Sequence, residues 1–199
     1  MKVDEWLSFF KHHREKSLFS LSDLTQLTGE HAASLSVQLT RLVKAGVLSR
    51  AAQAWYENPF TPPSSEEVAM VVRYPSYLSL EYALSKQGVL SQSVYILTLV
   101  TTKLPYTYTT DHVVYEYHQI HRSLFWGYQQ KGVVLTAEPE KAFLDLIYIR
   151  CVCTRELPRQ RFASLVNDMA VSEFDVERLH RYAEHFGPGT RNVLSQVGI

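Results

Sequence analysis

Hydrophobic positions in the first sixty residues recur at helical spacing in three blocks. In VDEWLSFFKHHRE, Trp6, Phe9, Phe10 and His13 share one face, with Lys11 and Arg14 elsewhere on the surface. LFSLSDLTQLTGEH follows. Ser20 is a natural N-cap with Asp23 three residues on, and Leu21, Leu24 and Leu27 are the expected buried face of a short helix. Gly29 supplies a turn. HAASLSVQLTRLVKAG predicts a third helix with Leu35, Leu39, Leu42 and Val43 on one stripe and Gly46 as its stop. VLSR and AWYEN then read as strand pieces around an AAQ turn. Helix, short helix, turn, third helix and β-hairpin is the order of a winged helix-turn-helix, whose third helix enters the DNA major groove.

A helical wheel of the third block leaves Ala33, Ser34, Val37, Gln38, Thr40, Arg41 and Lys44 facing outward. Those side chains suit DNA: Gln38 for adenine, Arg41 for guanine or phosphate, and Ala33 or Val37 for a thymine methyl. Arg50 and Gln53 fall on the wing, near the backbone. The competing reading is a solvated face in a module used for protein contacts. Lys2, Lys11, Arg14, Lys16, Arg41, Lys44 and Arg50 stand against Asp4, Glu5, Glu15, Asp23, Glu30 and Glu57 in residues 1–60, so the phosphate-driven contribution is expected to be small.

NPFTPPSSEE, with its prolines and serines, reads as a linker or domain edge. It divides the chain into a DNA-binding domain, residues 1–60, and a second domain, residues 61–199. In the second, YPSYLSLEYALSKQGVL gives a helix with Ser79 as N-cap and Gly88 as stop. SVYILTLVTT, DHVVYEYHQI, SLFWGYQ and GVVLTA are rich in β-branched and aromatic residues and predict strands, with QQKG as a hairpin turn. Helices return at about 137–152, 159–168, 173–186 and 189–197, Ser172 and Gly187 bracketing the third. The predicted class is α+β: the N-terminal module, then helices packed on a small, mainly antiparallel sheet.

Composition adds constraints. Hydrophobic residues make up 46% of 199, enough for a packed core, and the formal net charge is +0, so no global field draws the chain to nucleic acid or membrane. The N-terminal stretch lacks the pattern of a signal peptide and no apolar run is long enough to span a bilayer, so a soluble, cytoplasmic protein is expected. Cys151 and Cys153 are too close for an unstrained disulfide, and two thiolates alone do not complete a zinc site; reduced thiols near a helix end are expected. No Gly-rich phosphate loop, HExxH or GxSxG occurs.

LTAEPEKAFLDLIYIR gathers Glu138, Glu140 and Asp145. Three carboxylates so close suggest a metal site or acid/base chemistry, and a small nucleotide-processing enzyme would need them to converge in a pocket. A helix start is the better reading, since it gives each acid an ordinary role: Thr136 as N-cap, Pro139 in the first turn, Glu138 and Glu140 at the positive end of the dipole, and Lys141 paired with Asp145. Phe143, Leu146, Ile147 and Arg150 form the opposite stripe. His118 with His121, His180 with His185, and His12 with His13 are not spaced as ligand pairs on one face, so no metal or other cofactor is expected. YTYTTDHVVYEYH alternates at period two and reads as a sheet with one wet face, whose tyrosines suit a protein interface.

SLSDLTQLTGEHAASLSVQLTRLVKAGVLSR, YPSYLSLEYALSKQGVLSQ and TAEPEKAFLDLIY, in this order, resemble the AbiEi-type antitoxins, also described as predicted transcriptional regulators of viral defence systems. The resemblance runs from about Leu18 to Tyr148. It implies a bacterial, non-catalytic autorepressor that binds inverted repeats in double-stranded DNA upstream of its own operon. It also implies an antitoxin domain that counteracts a cognate nucleotidyltransferase-like toxin in a type IV toxin–antitoxin system of abortive infection and phage defence. Ser34, Val37, Gln38, Arg41 and Lys44 then fall on the recognition helix and Arg50 and Gln53 on the wing. AAQAWYE departs from the more basic, Gly-containing wing of relatives. An orphan regulator without a toxin, and a protein-interaction module built on the same scaffold, are the alternatives.

Overall fold

The computed structural model describes residues 1–154, 157–196 and 198. The fold is α+β, and the chain divides into two compact units, residues 1–72 and 73–199.

The first unit runs α1 (Val3–His12), β1 (Leu18–Ser20), α2 (Leu21–Thr28), α3 (Ala32–Lys44), β2 (Arg50–Ala52), β3 (Trp55–Glu57) and α4 (Ser65–Val72). Its strands form an antiparallel sheet ordered β1-β3-β2. Trp6, Phe10, Phe19, Leu24, Leu35, Leu39, Leu42 and Tyr56 make its core. Asp4 and Glu5 open α1 and Lys11 and His12 close it, each complementing the helix dipole. Ser20 and Asp23 form the expected reciprocal cap of α2: the Asp23 N–H donates to the Ser20 hydroxyl at 3.0 Å, and the Ser20 N–H to the Asp23 carboxylate at 2.8 Å. Leu27, expected inside, is 50% exposed. The inward face of α2 follows Leu21, Leu24, Thr25 and Thr28, and Leu27 lies about 100° round the helix from the middle of that face.

The stretch read as a linker belongs to this unit. Asn58 is fully buried, and its amide donates to the carbonyls of Phe10, His13 and Lys16 at 3.2, 2.9 and 2.9 Å, pinning the end of α1. Ser64 and Glu67 cap α4 reciprocally, and α4 packs against β2. The division between units therefore follows α4 instead of preceding Thr61.

The second unit contains β4 (Ser76–Leu78), α5 (Leu80–Lys86), β5 (Leu97–Thr101), β6 (Tyr106–Thr109), β7 (Val114–Gln119), β8 (Tyr128–Lys131), β9 (Val134–Ala137), α6 (Pro139–Leu146), α7 (Arg159–Asn167), α8 (Val176–Ala183) and α9 (Pro188–Gln196). A π-helical stretch, Ile147–Cys153, continues α6. The end of the last predicted helix, Val197, lies outside the described residues. The sheet order is β6-β7-β5-β4-β9-β8. Instead of a mainly antiparallel sheet the strands form a mixed one, because β5–β7 and β4–β9 are parallel. β6 causes the first of these: it hairpins back at the edge and lays β7 beside β5 in the same direction.

α6 is buried along its length, from Glu140 to Leu146, and packs against α5 and α8. Glu138, not Thr136, is its N-cap, since Thr136 belongs to β9. Ser79 precedes α5 as expected, but its side chain makes no cap. The hydroxyl of Thr98 on β5 accepts the Tyr82 N–H at 3.1 Å in its place. No helix among the described residues is long and apolar enough to cross a membrane.

Candidate nucleic-acid interface

α3 forms because leucines at positions 35, 39 and 42 bury one stripe against α1, α2 and the sheet. On its outer side Ala33, Val37, the neighbours Thr40 and Arg41, and Lys44 climb the helix turn by turn, and all are exposed. Val37 is 52% exposed. Arg41 and Lys44 lie in the last turn, next to the negative end of the helix dipole.

Ser34 and Gln38 sit beside that stripe and are held internally. The Gln38 side-chain oxygen accepts from the Trp6 indole at 3.2 Å and from the Met1 amino group at 2.8 Å. Its nitrogen donates to the Glu30 carboxylate and, at 3.2 Å, to the Ser34 hydroxyl, which itself donates to Glu30. Partial desolvation opposes ionisation of Glu30, yet Gln38, the Met1 ammonium and Ser34 hold its carboxyl below the ordinary value. The start of α3 thus carries an ionised carboxylate, paired with the Met1 ammonium, that the face pattern did not reveal. Arg50 is exposed, with its guanidinium 3.3 Å from the Tyr56 hydroxyl and stacked over that ring, while Gln53 is exposed in the β2–β3 turn. Ala54, beside it, takes a positive φ of 61°.

In the second unit the carboxylates of the Glu138–Asp145 segment do not converge. Glu138 accepts from the Tyr182 hydroxyl at 2.6 Å and from Gln129 at 3.2 Å. Glu140 accepts the Asp175 N–H at 2.8 Å and lies 3.6 Å from Arg178. Asp145 faces inward, where its carboxylate pairs with Lys141 and accepts the hydroxyls of Tyr77 and Ser79, both at 2.9 Å. The Lys141 ammonium also donates to the Tyr77 hydroxyl at 2.8 Å and lies 5.2–5.3 Å from the ring centres of Tyr77, Trp126 and Phe186. Burial pushes Lys141 below its ordinary pKa and Asp145 above its own, while their mutual attraction opposes both shifts.

No protein-family model and no curated protein sequence matches this chain.

Sequence spacing alone also missed a cavity of about 430 Å³ between the end of β7 and the π-helical stretch. His118 and His121 both line it, with Tyr148 and Cys153 opposite. Burial raises the Tyr148 phenol, and its hydrogen bond to Cys153 adds to the shift. Neither cysteine is joined in a disulfide; Cys151 is half-buried and Cys153 exposed. Among the described residues no group of three or more His, Cys, Asp and Glu side chains is arranged to hold a metal ion.

Proposed function

We propose that the protein is a DNA-binding transcriptional autorepressor whose first unit is a winged helix-turn-helix, and that it serves as the antitoxin of a type IV toxin–antitoxin system. The observation that carries the DNA-binding part is the exposed stripe Ala33–Val37–Thr40–Arg41–Lys44 on α3. Two supports stand beside it: a glycine turn joins α2 to α3, and the β2–β3 hairpin follows α3 with Arg50 and Gln53 exposed. On this reading Arg41 reads a base edge or a phosphate, Val37 and Ala33 contact thymine methyl groups, and Lys44 and Arg50 contact the backbone. Gln38 and Ser34 support the helix from the side. The protein acts in the cytoplasm, without catalysis, on inverted repeats upstream of its own gene. Its second unit counteracts a nucleotidyltransferase-like toxin.

Fluorescence anisotropy with a duplex from the region upstream of the gene, beside a shuffled duplex at two salt concentrations, tests the first part. Tight, sequence-dependent binding with a shallow salt slope is expected, because few cations face the DNA. Equal, weak binding to both duplexes would sink it. The protein-interaction reading would then stand, favoured by the Glu30 carboxylate fixed at the head of α3. Co-expression with the adjacent gene tests the antitoxin part. Rescue of growth supports it, and unrelieved toxicity removes it.

A further inference from the structure

β6 is an outermost strand of the six-stranded sheet. Natural edge strands usually carry charges that discourage pairing with another chain. Between Lys103 and Asp111 this one reads LPYTYTT, with no charge, and Leu104, Tyr106, Thr107 and Thr109 are exposed. The Thr110 N–H donates to the Val113 carbonyl at 2.9 Å. Antiparallel ladders bond at alternate residues, so Thr110, Tyr108 and Tyr106 direct their backbone groups to β7. Pro105, Thr107 and Thr109 direct theirs to the open side.

We propose that this edge pairs with the same edge of a second copy of the chain, antiparallel, with Thr107 facing Thr107 of the partner subunit across a two-fold axis. A two-fold contact between identical edges is antiparallel by symmetry. Two features fix the register. Centred on Thr107, Tyr106 stands opposite Tyr108 of the partner subunit in the non-hydrogen-bonded position, where cross-strand side chains lie closest. The four tyrosines then extend the rows that Tyr106 makes with Tyr117, at 6.3 Å, and Tyr108 with Tyr115, at 5.8 Å. The same centre turns the bend that carries Lys103 toward the β6–β7 turn that carries Asp111 of the partner subunit, and both of those side chains are exposed, so the long lysine can reach the carboxylate. Any other centre breaks both matches. The facing Thr107 residues exchange two backbone hydrogen bonds, and each Thr109 N–H reaches the carbonyl of Pro105 of the partner subunit. Pro105 has no N–H to return, which keeps the pairing modest.

This inference is independent of DNA binding. It is tested by sedimentation of the full chain from about 1 to about 100 µM, the range in which a micromolar dimer dissociates. The expected result is a reversible dimer, weakened at least about tenfold by Thr107→Pro, which removes an outward N–H and leaves the β6–β7 ladder complete. Lys103→Glu, on an exposed side chain, should weaken it as well, and Lys103→Glu combined with Asp111→Lys should restore it. A wild-type chain that stays monomeric overturns the proposal. So does a dimer indifferent to Thr107→Pro or Lys103→Glu, or a charge swap that fails to restore association.

Discussion

Lys141 and Asp145, one turn apart on α6, form an ion pair in which neither side chain reaches solvent. Taking two charges out of water is costly, and the pair persists because Tyr77, Ser79 and three aromatic rings occupy the directions left open. Removing one member should be far worse than removing both. Asp145→Ala or Lys141→Ala is expected to destabilise the protein by about 3–5 kcal/mol, whereas Lys141→Met with Asp145→Leu should cost less than either, what remains being the buried Tyr77 and Ser79 hydroxyls left without an acceptor. Urea denaturation of the three variants measures this. Additive losses in the double variant would show that the two side chains are not coupled and overturn this account of the pair.

Gly127 is where the chain passes over that lysine. A Cβ there would lie 2.9 Å from Lys141 Cγ, and φ is +74°, a conformation that suits glycine. Gly127→Ala should therefore cost about 1–3 kcal/mol, since the lysine stem is locked and cannot step aside. A thermal-melt series including Gly132→Ala isolates the contact, because Gly132 shares the positive φ but has nothing near its Cβ.

Glu138 gives an acid-side signature. The hydrogen bond from Tyr182 holds its carboxyl below the ordinary 4.5. The folded value lies under the unfolded one, so this bond adds stability above about 4.5 and the gain is lost as pH falls through the folded value. Tyr182→Phe should flatten that part of the stability–pH curve and leave stability near neutral pH lower. Identical curves between pH 3 and 5 would mean the bond does not distinguish the two charge states.

Arg41 and Gln38 should behave differently on substitution. Arg41→Ala is expected to weaken binding to the upstream duplex by about 1–3 kcal/mol with unchanged melting temperature. Gln38→Ala releases Trp6 and Glu30, and should lower stability by about 0.5–1.5 kcal/mol per bond removed. Anisotropy and melting on the same two variants separate these roles. A Gln38→Ala chain with native stability and relaxed preference at adenine would return Gln38 to the base-reading set.

The N-terminal elements could be read from the sequence because their determinants are local. Ser20 with Asp23, Gly29, and the leucines of α3 each act within a turn or two. The positions misread were settled by distant partners. Ser79 looks like a cap, but Asp145 takes its hydroxyl and Thr98 caps α5 from another strand. Lys141 and Asp145 have the spacing of a surface pair, and only the enclosing Tyr77, Trp126 and Phe186 make them interior. Asn58 sits among prolines and serines that resemble a linker, yet it binds three carbonyls. Strand neighbours are invisible to periodicity, so the two parallel ladders were not foreseen. For the α3 face, exposure could be read from the wheel, whereas the engagement of Gln38 depended on Trp6, a helix away.

β4 has consequences for synthesis. This three-residue strand lies inside the sheet, with Leu78 facing Leu99 on one side and Thr136 on the other. A ribosome adding roughly 5–20 residues per second reaches Thr136 about 3–12 s after Leu78. From the synthesis of β5 onward the nascent sheet has an open side at β4, and it closes only when the β8–β9 hairpin arrives.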